Sequence, residues 1–221
     1  MFATFLGTCI FLALMAGIFV PLESWQPRHV GTMTARAIVV AVALLFVDVL
    51  LMEAVGGALL DTLATWRPRV RAPSGLRLLA VFVGAELAGY WAHRAMHRVP
   101  WLWKFHHVHH APARVHWLDA WRQHPIDFVI HGVVVGLPGA LLGASLSDLA
   151  AVVLLRKTYT TFLHANVSWQ LRAWTPWIAT PAWHELHHRH DPQHYDRNFA
   201  GMFPILDRLF GTHATVPSRP R

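Results

Sequence analysis

Residues 78–97 read LLAVFVGAELAGYWAHRAMH. The run Leu78–Trp91 is apolar except for Glu86 and Tyr90, and no proline or turn signal separates it from His93 and His97. One helix therefore carries an apolar body and, at its end, two imidazoles spaced i, i+4 on one face. Glu86 and Tyr90 stand seven and three residues before His93, on the same side. Seven helical residues rise about 10 Å, which takes Glu86 out of reach of a metal held by His93. An intramembrane carboxylate either serves a site, by orienting a ligand or lining a pocket, or pairs with a buried Arg or Tyr.

Two more clusters follow. HHVHH holds His106, His109 and His110, and HELHH holds His184, His187 and His188. The spacing i, i+3, i+4 presents these rings on one side of a helical turn. Imidazole is the commonest protein metal ligand and suits iron, zinc and copper. The chain has 17 histidines. The eight in these clusters mark a metal site with room for more than one ion. His107 points about 100° away from His106 and is left out. His124 in RQHPID and His164 in FLHAN lie where their helices return to the cluster face, and both join as candidate ligands. His190 and His194 form another i, i+4 pair, but the Asp191-Pro192 step breaks a helix there, which leaves them at the surface or behind the ligands. His29, His116, His131 and His213 have no ligand context.

Composition places these clusters in a membrane protein. Hydrophobic residues make up 54% of the chain and charged residues 14%, against about 25% charged in a soluble domain. The net charge of +7 comes from arginines scattered between apolar segments. That pattern fits loops beside anionic headgroups, not a nucleic-acid surface. Trp66, Trp91, Trp101, Trp103, Trp174 and Trp177 flank apolar stretches, as interfacial aromatics do. The single cysteine, Cys9, excludes an intrachain disulfide.

Spanning the hydrocarbon core takes about 20 helical residues. Phe2–Val20 qualifies and lacks the basic start and cleavage site of a signal peptide. Ala37–Leu60 qualifies despite Asp48 and Glu53, and the run ending at Trp91 follows. Phe128–Gly143 and Leu146–Leu163 predict a hairpin around Pro138, Gly139 and Gly143. Arg156 and Lys157 on its second arm are expected to snorkel to the interface. The expected architecture is all-α: a multi-span helical bundle with a histidine-lined di-metal cap. Residues 93–126 and 166–221 hold most of the Lys and Arg, which puts the cap on the cytoplasmic side. Arg67, Arg69, Arg71 and Arg77 in the loop 61–77 run against that rule, so the topology of the first two spans stays open. Three parts are expected: 1–77, transmembrane segments; 78–212, the metal-holding domain; and 213–221, a disordered tail.

From Glu86 to Thr212 the chain resembles the fatty acid hydroxylase / sterol desaturase superfamily of integral-membrane oxygenases. The likeness rests on E-x-x-x-Y-W-x-H-R-x-x-H (Glu86 to His97), W-K-F-H-H-V-H-H, R-x-H-P (Arg122 to Pro125), H-A-N (His164 to Asn166), H-x-x-H-H (His184 to His188), D-R-N-F and L-D-R-L-F-G-T. The resemblance implies a non-haem centre of two iron ions, with zinc a substitute in purified protein. Its ligands would be His93, His97, His106, His109, His110, His184, His187 and His188, with His124 and His164 as additional histidines. It also implies hydroxylation or desaturation of a lipid by O2, with two electrons from a separate donor such as a cytochrome b5-like protein, a ferredoxin or a rubredoxin. The expected location of the chain is the cell inner membrane, with the histidine clusters facing the cytoplasm. Three positions depart from the family pattern: Thr160 stands where some members carry a further histidine, Leu206 replaces a frequent Trp and Ala200 a frequent Gly.

Two other readings compete. HELHH also spells H-E-x-x-H, the zinc protease spacing, with Glu185 as general base; it leaves the other clusters unexplained. A histidine-rich metal transporter would need a polar path, with Asp48, Glu53 and Glu86 as candidates.

Overall fold

Prolines punctuate the helices. The computed structural model describes residues 1–64, 73–169 and 171–216. Among these the chain is all-helical, and β pairing is confined to the isolated bridge Pro27–Val167. The elements are α1 (Phe2–Trp25), α2 (Ala35–Ala64), α3 (Ser74–Arg98), α4 (Pro100–His110), a 3-10 turn (Trp117–Trp121), α5 (Pro125–Leu141), α6 (Leu146–His164), α7 (Pro181–His188) and α8 (Ile205–Leu209). Pro100, Pro125 and Pro181 each open a helix, where a missing N–H costs nothing. Val99, forced extended before Pro100, makes the corner between α3 and α4. Ser145 and Asp148 form a capping box that starts α6.

α1, α2 and α3 are long and apolar enough to cross a membrane. Their outer faces expose Phe5, Ile10, Leu14, Ile18, Val39, Leu79 and Val83, which water would penalise and lipid would not. α5 packs between α2 and α3, and α6 lies against the 3-10 turn and α7. The helices α4 and α7 and the chain beyond residue 196 gather over one end of this bundle. The N-terminal helices reach that end through Met15, Phe19, Ala41 and Leu45, which pack on Trp117 and Trp121.

One expectation is overturned. Arg156 and Lys157 do not snorkel outward. Arg156 turns inward and pairs with Glu86, whose other oxygen accepts from Met202 N at 2.9 Å. The Lys157 ammonium lies 4.3 Å from the Phe128 ring centre and 5.1 Å from that of Trp121. A carboxylate and two aromatic faces inside the bundle outcompete the trip to the interface. Arg67, Arg69, Arg71 and Trp66 lie outside the described residues, as do 217–221. The start of the expected tail is tied down: Ala214 N donates to Asn198 Oδ1 at 2.7 Å.

Candidate metal centre

Nine histidines converge in two adjoining groups. His93, His97, His106, His110 and His187 form the first, and His109, His164, His184 and His188 the second; within each, one ring nitrogen per residue lies within 4.8 Å of all the others. Eight are the residues of the three clusters and the ninth is His164.

Each H-x-x-H-H motif is divided between the groups. α4 sends His106 and His110 to the first and His109 to the second. α7 does the reverse, sending His184 and His188 to the second and His187 to the first. Successive helical residues diverge by about 100°, so the adjacent pair in H-H cannot face one point. The groups touch where these pairs meet: His110 stacks on His188 with ring centres 4.3 Å apart.

Backbone carbonyls decide which nitrogen faces inward. A carbonyl only accepts, so the ring atom beside it carries the proton. His93 Nδ1 donates to Phe199 O at 2.9 Å, His187 Nδ1 to Arg197 O at 2.7 Å and His164 Nδ1 to Thr160 O at 2.8 Å. His106 Nδ1 donates to Asp127 Oδ2 at 3.0 Å. The Nε2 lone pairs are thereby aimed at the group interiors. Those of His93, His106 and His187 are buried with no hydrogen-bond partner. In the second group His164 Nε2 lies 3.1 Å from His109 Nε2 and 3.3 Å from His184 Nε2. Buried acceptors left unpaired are costly, unless a cation joins them. The donor set is all imidazole, which suits iron, zinc, copper or nickel. Burial, followed by neighbouring imidazoles, holds His109, His110, His184 and His188 well below the usual histidine range, and burial puts His187 at about 3. These rings are neutral at pH 7, the state a metal requires.

The remaining signature motifs build the frame. Asn198 of D-R-N-F adopts φ 61°, a left-handed turn that asparagine tolerates, and so directs the flanking carbonyls of Arg197 and Phe199 to their histidines. Asp207 of L-D-R-L-F-G-T is fully buried; it accepts from Phe199 N, Ala200 N and Thr212 Oγ1 at 2.7, 2.9 and 2.7 Å. Tyr90 meets Thr212 at 2.8 Å.

Other predicted positions fall elsewhere. His124 is in neither group. Its Nδ1 accepts from Ile126 N at 3.2 Å and its ring packs on Phe105, because Pro125 starts α5 there and leaves His124 as the cap. His190 Nε2 lies 2.8 Å from His110 O, directly behind a clustered ring, and His194 pairs with Asp191. Glu185 is turned away from the groups and bonds Arg28, His29 and Arg189. Burial opposes its charge, but Arg28, His29 and Arg189 together outweigh burial and hold the carboxyl below its usual range. The Asp127 contact and the three carbonyls went unread in sequence. A carboxylate in a first helical turn reads as dipole compensation, and backbone acceptors leave no residue-type signal.

A cavity of about 470 Å³ ends on His93, His106, His109, His164 and His184, its walls set by Met52, Phe128, Val135, Leu149 and Val153. A separate cleft of about 610 Å³ reaches His97, His110 and His187 beside Trp103, Tyr195 and Asp196.

Comparison with known proteins agrees with the motifs. The chain is 32% identical over 133 residues to alkylglycerol monooxygenase of Danio rerio, covering 60% of this chain and 29% of that protein. It is 30% identical over 139 residues to a putative methylsterol monooxygenase of Dictyostelium discoideum, covering 62% and 51%. It is 28% identical over 145 residues to the ornithine lipid hydroxylase OlsE of Rhizobium tropici, covering 66% and 44%. The chain thus spans about half or less of these relatives' lengths. No solved structure matches it. Residues 78–212 match the model of the fatty acid hydroxylase family, and the chain belongs to that family.

Proposed function

We propose that this chain is a membrane-bound lipid oxygenase whose two histidine groups each hold an iron ion. Bound iron would supply O2 activation and oxidation of an unactivated C–H bond, giving a hydroxylated or desaturated lipid. The observation that carries the reading is the cavity: apolar walls lead from within the bundle to five clustered imidazoles. An acyl or isoprenoid segment fits such walls, and its far end would rest against His93, His106, His109, His164 and His184. Phe128, Val135 and Val153 would exclude water around it. The relatives are named for alkylglycerols, methylsterols and an ornithine lipid, which supports a lipid class without selecting one member.

The proposed ligands are His93, His97, His106, His110 and His187 for one ion, and His109, His164, His184 and His188 for the other. Residues 78–212 would form the metal-holding unit, 1–77 its membrane segments. The cleft at His97, His110 and His187 would admit protons and face an external electron donor. Arg98, Lys104, Arg114, Arg189 and Arg197 on that end support a cytoplasmic orientation in the inner membrane. Glu185, the base of the protease reading, is committed to Arg28 instead.

The test is expression with and without the protein under labelled O2, followed by lipid mass spectrometry and metal analysis. The expected result is two irons per chain and a lipid class that gains one labelled oxygen or loses two hydrogens. Unchanged lipids from cells holding metal-loaded protein would sink the proposal.

A further inference from the structure

We infer that Arg28 and His29, on the loop between α1 and α2, are positioning residues for the second histidine group, acting through Glu185. The inference rests on the two-ion reading above. In the second group His164 is pinned through Nδ1 to Thr160 O, but the two ligands from α7 are held differently from the pinned rings of the first group. In the first, His93, His106 and His187 are each pinned through Nδ1 to Phe199 O, Asp127 or Arg197 O. In the second, His184 Nδ1 and both nitrogens of His188 lack any hydrogen-bond partner. The placement of these two rings therefore depends on the backbone of α7.

α7 is eight residues long and carries Glu185 between its ligands. Arg28 Nη1 donates to Glu185 Oε2, and His29 Nε2 lies 3.2 Å from Glu185 Oε1. The same loop braces the segment just after His164: His29 N donates to Asn166 Oδ1 at 2.9 Å, Asn166 Nδ2 to His29 O at 3.0 Å and Ser168 N to Gln26 O at 2.9 Å. Glu23, at the end of α1, accepts from Asn166 N at 2.7 Å. One loop, outside the family-matched segment, thus ties together the carriers of His164, His184 and His188. Both partners of the clamp are mostly buried, at 16% exposure for Arg28 and 11% for Glu185, so solvent cannot substitute for either.

The experiment titrates Co(II) into purified full-length protein stripped of metal, comparing wild type with Arg28→Met, Glu185→Gln and Arg28→Lys. Stoichiometry and the visible Co(II) spectrum are the readouts. The wild type is expected to take up two ions. Arg28→Met and Glu185→Gln should bind the first unchanged and the second about 10–100-fold more weakly, the range seen when support behind a ligand is lost. Arg28→Lys should recover part of the loss. A wild type that binds fewer than two ions defeats the two-ion reading itself. A wild type that binds two, beside variants that keep both as tightly or weaken both equally, defeats the positioning role.

Discussion

Glu86→Gln isolates the ion pair that joins α3 to α6. Glu86 is 3% exposed, accepts from the Arg156 guanidinium on one oxygen, and accepts from Met202 N at 2.9 Å on the other. Glutamine keeps the volume, so no cavity opens and packing is unchanged. The charge is lost, however, and the amide turns a donor toward one of two donors. Removing one partner of a buried pair costs about 3–5 kcal/mol, chiefly through the stranded charge. Arg156→Met strands Glu86 instead and should cost about the same. The double variant removes both charges of this pair. Glutamine can still accept from Met202 N, which leaves one unsatisfied amide group at about 1–3 kcal/mol. The singles would sum to roughly 6–10 kcal/mol if independent, so the cycle should show strong coupling. Detergent-solubilised protein unfolded by an SDS titration, followed by tryptophan fluorescence, gives all four free energies. A Glu86→Gln cost below about 1 kcal/mol, or a double variant that equals the sum, refutes the buried-pair argument.

Three further outcomes follow from the geometry. His124→Ala should keep both metal ions and lose only about 1 kcal/mol of helix capping; loss of metal in that variant would restore His124 as a ligand. Gly84→Val should destabilise by about 1–3 kcal/mol, since a Cβ there would stand 2.7 Å from the rigid Pro138 ring, while Gly17→Val, with open space around it, should stay near wild type in the same SDS titration. The metal-free protein should lose stability as pH falls below about 6.5: His109, His110, His184, His187 and His188 protonate in the unfolded chain but resist protonation when folded, each adding up to about 1.4 kcal/mol per pH unit. This contribution is fully present above the unfolded value and declines downward toward His187's value of about 3. A flat stability between pH 7 and pH 5, as about 6.5 is crossed, would contradict the buried neutral state.

The membrane helices and the eight clustered histidines were legible because each writes a strong local pattern: long apolar runs, and imidazoles at helical spacing. His164 was readable from its place at a helix end. His124 carries the same signal but lies in neither group, because a histidine just before a proline can serve as a cap as readily as a ligand. The fates of Arg156 and Lys157 were not legible, since the snorkelling rule sees only depth and not Glu86 seventy positions away. Nor were the carbonyls of Arg197 and Phe199, which act through backbone that any residue supplies. The motif D-R-N-F was visible as a string. Its work, a left-handed turn at Asn198 between two acceptors, needed coordinates.

The division of each H-x-x-H-H between the groups explains why that spacing suits two neighbouring ions. Residues i and i+4 diverge by only about 40° and can share one ion, while i+3 lies about 100° from i+4 and must serve another. α4 and α7 use the same spacing with opposite assignment, so each helix would be bonded to both ions and the ions would cross-link the helices twice. The chain has one cysteine and so no intrachain disulfide to rigidify this end. The apolar helices end below it, and α7 has only eight residues of its own. Metal binding would therefore contribute directly to the folding of the cap, as in other domains whose sites form only in the folded state. The loop bearing Arg28 would govern the part of that gain that no ring-orienting hydrogen bond secures.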